Sequence, residues 1–123
     1  MIKIALIRHS KTEGNIHGRY IGKTDENLCN EGIILAKNKE FPKAEQVYSS
    51  PLKRCVETSK IIYNCCEPLI FDDLRECDFG DFENKNYKDL DGNENYQKWI
   101  DSNGSMPFPN GENTEAFKRR SIR

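Results

Sequence analysis

Arg8 and His9 are the adjacent residues with the clearest capacity for chemistry in this sequence. A guanidinium is a planar, permanently charged group whose N–H donors match the oxygens of a phosphate. A neutral imidazole nitrogen can attack phosphorus when a hydrogen bond holds the other ring nitrogen. The pair therefore predicts phosphoryl transfer, and its alternative interpretation is a solvated strand end that binds no ligand.

An apolar segment precedes this pair and is predicted to position it. In residues 2–7, the side chains of Ile2, Ile4 and Leu6 alternate with their neighbours, and β-branched residues are frequent, which is typical of a buried strand. Ligands of open α/β sheets bind where the carboxyl ends of strands meet loops. Residues 10–30 are polar and contain several glycines, so we expect a long loop over that strand end, where functional residues are common.

Helical and extended patterns alternate in the rest of the chain. The predicted elements, in order, are a helix from Asn30, a strand over 46–49, a helix begun by Ser50 and Pro51, and a strand over 69–71. Spacings of three and four predict the inner face of the second helix as Leu52, Val56, Ser59, Ile62, Tyr63 and Cys66. Two further helices are predicted, one around Tyr96, Trp99 and Ile100 and one capped by Thr114. This order predicts an α/β fold with a largely parallel sheet flanked by helices.

Charge and hydropathy limit the classes of partner. The 123 residues include 19 Lys plus Arg and 20 Asp plus Glu, a net charge of -1, which provides no overall field for nucleic acid or an anionic membrane. No apolar run approaches the roughly 20 residues of a membrane span, and the first residues lack the length and cleavage site of a signal peptide. We therefore expect a soluble, cytoplasmic protein.

The cysteines predict neither a disulfide framework nor a zinc site. There are five, an odd number, and none shows paired C-x-x-C spacing, so we expect reduced thiols. The adjacent Cys65 and Cys66 have two alternative roles, soft-metal binding or oxidant sensing, besides ordinary packing at a helix end. No metal and no cofactor is predicted.

Four ordered motifs resemble the histidine phosphatase superfamily, which includes the phosphoglycerate mutases. Residues 6–15, LIRHSKTEGN, resemble the family's Arg-His-Gly after a first strand, followed by Glu-Thr and Asn. Residues 18–25 and 28–32 are similar to its loop and its first helix start. Residues 48–58 resemble Ser-Ser-Pro-Leu-x-Arg-x-x-x-Thr, and residues 74–84 resemble Leu-Arg-Glu-x-x-Phe-Gly-x-Trp-Glu-Gly. The resemblance implies a phosphoglycerate-mutase-like fold.

The resemblance also implies roles for five residues. His9 becomes phosphorylated, and Glu76 acts as general acid, because a carboxyl partly desolvated beside a phosphate dianion holds its proton more tightly. Phosphate binding is implied for Arg8, Asn15 and Arg54. Arg54 falls in the first turn of a predicted helix, where the helix dipole and a guanidinium act together on an anion.

Each of three implied roles has a structural alternative. Arg54 could instead form a surface salt bridge with Glu57, and Asn15 could be a turn residue in the glycine-rich loop. Glu76 could pair with Arg75 or a lysine on the surface.

The chain departs from the family pattern in three ways. Ser10 stands where the family has Gly, and we expect its Cβ and hydroxyl close to the phosphate, where they either crowd it or donate to it. His17 lies where the family has no fixed histidine, so we expect it to be solvated or to contact the substrate at the rim of the site. The family's second histidine, in a Ser-His-Gly motif on a later strand, has no counterpart in this sequence. After Phe117 the chain ends where the family continues, so we interpret 1–123 as a single, C-terminally truncated domain with weak or no activity.

The resulting functional hypothesis is a phosphomonoester hydrolase that acts on a small phosphorylated metabolite through a phosphohistidine. Leu-Arg-Glu followed by Phe-Gly resembles the alpha-ribazole phosphatases and broad-specificity phosphatases more than the phosphoglycerate mutases. The alternatives are a mutase, a noncatalytic phosphate-binding module, an inactive truncated fragment and an unrelated α/β domain. A strand over 2–7 without a neighbour would expose apolar area and unpaired backbone, which predicts a homodimer or strand exchange.

Overall fold

Short helices and strands alternate along the chain in the computed structural model, which describes residues 1–64 and 66–122. The α-helices are α1 (Glu13–Ile16), α2 (Asn30–Asn38), α3 (Lys53–Ile62), α4 (Glu94–Asp101) and α5 (Thr114–Ile122). The strands are β1 (Tyr48–Ser49) and β2 (Leu69–Ile70), and single 3₁₀ turns cover Asp72–Leu74 and Gly80–Phe82. The alternative roles of the Cys65–Cys66 pair involve residue 65, which lies outside the described residues.

The two strands pair in parallel through the crossover helix α3. Tyr48 lies opposite Leu69 and Ser49 lies opposite Ile70. Parallel strands that follow each other in sequence require such a crossover, and a helix is its usual form. The predicted α/β class and the parallel pairing are therefore confirmed, with β1 and β2 each shorter than the segment predicted from the sequence.

The prediction of a buried strand over residues 2–7 is wrong. These residues have no regular secondary structure, and the side chains of Ile2 and Leu6 are 89% and 95% exposed. A strand needs a neighbour to satisfy its backbone N–H and C=O groups. Within the described part of the chain, no backbone hydrogen bond involves residues 2–7. The alternation of side chains therefore does not produce a buried face, because no partner completes the strand.

Residues 10–30 are more ordered than the predicted long loop. Thr12 caps α1 through a capping box, in which its hydroxyl accepts from the Asn15 backbone N–H and the Asn15 side chain accepts from the Thr12 N–H. Thr12 also forms an isolated antiparallel bridge with Leu28. These contacts fix the backbone just beyond His9.

Two helix starts differ from the predicted ones. The Ser50 hydroxyl accepts from the Leu52 N–H, and α3 begins at Lys53 rather than directly after Pro51. The N–H of Ala116 at the start of α5 donates to the Asn113 side chain, so Asn113 takes the capping place predicted for Thr114.

The core is an aromatic cluster formed by the second half of the chain. Phe82 is 0% exposed and contacts the rings of Tyr96, Trp99 and Phe108 edge-on. Burying one such ring contributes about 1.5–3 kcal/mol. The 3₁₀ turn that carries Phe82 is therefore anchored, together with the backbone that leads to residues 76–78. Every helix in the described ranges is too short or too polar to cross a bilayer.

Candidate active site

One cavity of about 240 Å³ brings together four of the five predicted site residues. Arg8, His9, Arg54 and Glu76 all line it. The other lining residues are Ile7, Cys55, Leu74, Arg75, Phe117 and Ser121. Arg8 and His9 come from the segment before α1, Arg54 comes from the first turn of α3, and Glu76 follows a 3₁₀ turn. Three arginines, a histidine and a carboxylate thus meet in one small space.

The His9 imidazole has a defined tautomer. Its Nδ1 lies 2.6 Å from the backbone carbonyl of Ser10, and because a carbonyl only accepts, Nδ1 must carry the proton. In the neutral ring, Nε2 then has the lone pair. Burial lowers the pKa of His9 from 6.5, the nearby charges of Arg54 and Arg8 lower it further, and the Ser10 carbonyl and Glu76 only partly oppose them. Near neutral pH the ring is therefore neutral rather than a cation.

Ser10 supports His9 from behind rather than facing the cavity. Its backbone N–H donates to the hydroxyl of buried Thr58 at 3.0 Å, and its own hydroxyl donates to the Gly32 carbonyl at 2.7 Å. The expectation that this hydroxyl crowds or contacts a phosphate is therefore wrong for this structure. The residue links the His9 segment to α2 and α3.

Arg54 is the most buried of the cationic side chains in the cavity wall, at 1% exposure. Its Nη1 donates to the Thr24 carbonyl at 2.8 Å, and its Nη2 donates to the Gly22 carbonyl at 2.7 Å and to the Ile21 carbonyl at 3.3 Å. The alternative of a surface salt bridge is wrong, because the guanidinium is enclosed and binds backbone carbonyls. Its Nε is buried and has no hydrogen-bond partner among the described residues.

The helix α3 buries a polar face where an apolar one was predicted. Its buried residues are Arg54 and Thr58, and the Thr58 hydroxyl donates to the Arg54 carbonyl at 2.7 Å. The predicted inner-face residues Val56 and Ser59 are only half-buried. The packed face of the helix thus faces the site.

Glu83 holds the opposite side of the backbone that Arg54 binds. Its carboxylate accepts from the N–H groups of Gly22 and Lys23, from the hydroxyl of Thr24 at 2.6 Å, and from the Phe79 N–H. Burial by itself raises the pKa of Glu83, but these hydrogen bonds outweigh it and lower the pKa below 4.5. Sequence reasoning assigned no role to Glu83, although it lies in the fourth motif.

Gly22 permits the close approach of two backbones beside the site. A Cβ at this position would collide with the Cys77 carbonyl oxygen and would lie 2.5 Å from a Glu83 carboxylate oxygen. Only glycine lets residues 21–24 lie against the segment after Glu76.

Arg8 and Glu76 are exposed to solvent in the cavity wall. Within residues 1–64 and 66–122, no hydrogen bond or salt bridge holds the Arg8 guanidinium. The Oε1 atom of Glu76 accepts from the Cys77 N–H at 2.7 Å, and Arg75 pairs with Asp72 rather than with Glu76. The Glu76 side chain is exposed to solvent.

Asn15 and His17 lie outside the cavity wall. The Asn15 side chain is used in the capping box of α1, and Asn15 lines neither this cavity nor the next one. His17 is exposed, and its Nε2 lies 3.6 Å from the carboxylate of Glu13. In the structure, the predicted set therefore comes together without Asn15.

A second, larger cavity adjoins the first. It has a volume of about 380 Å³ and shares Arg75 and Glu76 with the His9 cavity. The rest of its wall is mostly polar and consists of Lys23, Leu52, Asp78, Asn110, Gly111 and Glu112. Among the described residues, no group of three or more His, Cys, Asp or Glu side chains is arranged to hold a metal ion.

The fold and this cavity define an α/β protein with a histidine and three arginines around one site. The family model of the histidine phosphatase superfamily (branch 1) matches residues 4–123. The chain belongs to this superfamily, so the interpretation as an unrelated α/β domain is wrong.

Relatives with different names share this similarity. The adenosylcobalamin/alpha-ribazole phosphatase of Escherichia coli is 33% identical over 127 residues, which cover 97% of this chain and 63% of the relative. Phosphoserine phosphatase 1 of Hydrogenobacter thermophilus is 28% identical over 98% of this chain and 61% of its own length. The solved alpha-ribazole phosphatase of Shigella flexneri superposes with a TM-score of 0.78 at 31% identity, covering 93% of this chain and 60% of that one. The chain thus spans less than two thirds of the length of these relatives.

Proposed function

We propose that this chain is a phosphomonoester hydrolase that acts through a phosphohistidine, with His9 as the nucleophile. The observation that carries the proposal is the Nδ1–H donated to the Ser10 carbonyl inside a cavity that is also lined by three arginines. This arrangement leaves Nε2 unprotonated where a phosphate dianion would be held. Membership of the superfamily supports the same chemistry.

The first displacement transfers the phosphoryl group to His9. The Nε2 lone pair attacks phosphorus in line with the ester oxygen, an N–P bond forms, and the P–O bond to the leaving group breaks. Glu76, in its protonated form, gives its proton to the leaving oxygen. The alcohol departs, and phosphohistidine and the Glu76 carboxylate remain.

The second displacement returns the enzyme to its starting state. The Glu76 carboxylate takes a proton from water as the water oxygen attacks phosphorus and the N–P bond breaks. Inorganic phosphate leaves, and His9 is again neutral. Both steps build charge on the equatorial oxygens of phosphorus, which fixed cations stabilise without reorganisation.

Arg8 and Arg54 are the proposed source of that positive field. Arg8 is uncommitted to other groups in the described part of the chain, so it can turn towards an anion. The Nη atoms of Arg54 donate to three carbonyls. Its buried Nε–H is unpaired among the described residues, and an unsatisfied donor in a cavity wall is one that an anion would satisfy. Asn15 stays a predicted phosphate ligand on the resemblance alone.

The polar second cavity is the proposed place for the leaving group. Glu76 lies in the walls of both cavities, between the phosphate position and this space. The volume suits a small metabolite. The names of the two relatives, one an alpha-ribazole phosphatase and one a phosphoserine phosphatase, give two substrates to test.

A matched pair of histidine variants tests the proposal. The full chain is incubated with p-nitrophenyl phosphate, and both released phosphate and the acid-labile phosphohistidine are measured by mass spectrometry after rapid quenching. We expect phosphohistidine on His9. Both the phosphohistidine and the release of phosphate should disappear in His9→Ala but persist in His17→Ala. The His17 side chain is exposed and lies beside Glu13, outside the cavity wall, so it controls for general effects of losing a histidine.

Two outcomes contradict catalysis by His9. The first is phosphate release that survives in His9→Ala. The second is phosphate binding, detected by calorimetry, without formation of phosphohistidine and without release of phosphate from the ester. This result favours the alternative of a noncatalytic phosphate-binding module.

We also propose that a second copy of the chain is a partner. Residues 2–7 are exposed, mostly apolar and without backbone hydrogen bonds to the described residues. Such a segment favours pairing with the same segment of another molecule. Sedimentation of the purified chain over a range of concentrations tests this association.

A further inference from the structure

Arg120 on α5 makes the densest set of side-chain hydrogen bonds near the site. Its Nε and Nη2 donate to the two carboxylate oxygens of Glu112 at 3.0 and 2.8 Å. Its Nη1 donates to the carbonyls of Asp73 and Arg75 at 3.0 and 2.8 Å, and Nη2 reaches the Glu76 carbonyl at 3.4 Å. The guanidinium side chain is only 10% exposed. Arg120 thus binds the backbone that carries the proposed general acid.

Glu112 holds the same segment from its other end. Its Oε1 accepts from the Asp78 N–H, and its own backbone N–H donates to the Asp78 carbonyl at 2.9 Å. The hydrogen bond from Arg120 lowers the pKa of Glu112, and the Asp78 N–H adds to this effect, so the pair stays ionised near neutral pH. Residues 73–78 are therefore fixed on either side of Glu76.

The helix that supplies Arg120 is also part of the cavity wall. Phe117 and Ser121 line the His9 cavity, and the Arg120 guanidinium lies 5.1 Å from the centre of the Phe117 ring. Packing on this ring restricts the side chain further. The next residue back, Arg119, is exposed and makes one long bond of 3.4 Å to the Glu115 carbonyl.

The Glu76 side chain depends on this support because little else holds it. Its carboxyl is exposed, and its hydrogen bond goes to the N–H of the adjacent Cys77. Its position at the boundary of the two cavities is therefore set by the backbone of residues 75–77.

We propose that Arg120, together with Glu112, is a positioning residue that places the Glu76 carboxyl for proton transfer to the leaving group. The inference rests on the proposed function of Glu76. A misplaced general acid slows the departure of a poor leaving group and barely affects a good one, since nitrophenolate leaves without protonation and an alkoxide does not.

The test compares two substrates across three variants of the full chain. The substrates are p-nitrophenyl phosphate and an alkyl phosphate, and the variants are Arg120→Gln, Arg120→Lys and the matched control Arg119→Gln. For Arg120→Gln we expect kcat/KM to fall about tenfold or more further for the alkyl than for the aryl ester, with partial recovery in Arg120→Lys. Arg119→Gln should leave both values unchanged. Equal losses on both esters would overturn the inference.

A measurement that needs no turnover separates this inference from the proposed function. Amide hydrogen exchange at Arg75, Glu76 and Cys77 should accelerate in Arg120→Gln and in the milder Glu112→Gln, and not in Arg119→Gln. Unchanged exchange in both variants would contradict the positioning role of Arg120 and Glu112, even if the wild-type chain hydrolyses neither ester. Exchange could accelerate in these variants while the wild-type chain never forms phosphohistidine. That result would support the positioning of Glu76 by Arg120 and contradict the proposed phosphatase activity.

Discussion

Arg54 and Glu83 hold opposite sides of one backbone segment, residues 21–24. The Arg54 guanidinium donates to the carbonyls of Ile21, Gly22 and Thr24, and the Glu83 carboxylate accepts from the N–H groups on the other side. Hydrogen bonds with an ionised donor or acceptor are stronger than neutral ones, so the guanidinium on the carbonyls and the carboxylate on the N–H groups both stabilise this segment. The segment thereby becomes a fixed support for the cavity wall.

Replacing Glu83 with Gln should destabilise the fold. The amide keeps one acceptor oxygen but loses the charge and the second acceptor, so we expect about 1–3 kcal/mol less free energy of unfolding. Denaturant titration by circular dichroism measures it. Glu45→Gln is the control, because Glu45 is exposed, and a loss of the same size there would refute the role given to Glu83.

The Glu83 contribution should depend on pH in a defined direction. The folded pKa lies below 4.5, so the folded protein binds fewer protons than the unfolded chain in that range. The stabilisation is therefore fully present above pH 4.5 and is lost as the pH falls through the folded pKa. Wild type should lose stability on acidification more steeply than Glu83→Gln, and parallel curves would contradict this.

Replacing Arg54 with Lys should be more damaging than the change at Glu83. An ammonium has the charge but cannot span three carbonyls, so buried acceptors lose their partners and unfolding becomes easier by about 2–4 kcal/mol. In the double variant Arg54→Lys/Glu83→Gln, the free energy of unfolding should fall by less than the sum of the two single losses, because both side chains bind residues 21–24. Strict additivity in the denaturation data would show that the two do not share this segment.

His9 should titrate at a lower pH than an ordinary histidine. Burial and the charges of Arg54 and Arg8 lower the pKa of His9, so its ring should titrate below 6.5 in NMR spectra. Arg8→Gln removes one of these charges and should raise the His9 pKa, whereas Lys3→Gln should not. Stability linked to neutral His9 is present above pH 6.5 and is lost as the pH falls through the lowered pKa. An unchanged His9 titration in Arg8→Gln would place Arg8 away from the ring.

Self-association should respond to a single charge in residues 2–7. Ile4 is 82% exposed, and a lysine there opposes edge-to-edge pairing of strands. In sedimentation experiments Ile4→Lys should shift the chain towards monomer, while Lys3→Gln should not. If the wild-type chain is monomeric at all concentrations, the proposed association with a second copy is refuted.

Local signals predicted much of the fold because they depend on neighbouring residues. Asn30 opens α2 as expected, the aromatic spacing from Tyr96 marks α4, and the parallel pairing of β1 with β2 follows from strand, helix, strand order. The prediction of a strand over 2–7 was wrong because periodicity reports the pattern of side chains and not the presence of a neighbouring strand. Asn113 took the cap of α5 from Thr114 since either residue type fits that place, and only geometry chooses.

By itself, the sequence determined the family and which residues are predicted to react, because four motifs in order require no knowledge of distant contacts. Only the tertiary structure decided how the site is held. Arg54 meets residues 21–24 across about thirty positions, Glu83 meets them across about sixty, and Arg120 meets residues 73–76 across more than forty. Such contacts arise from packing of separate segments, and local propensity carries no information about which buried donor meets which acceptor.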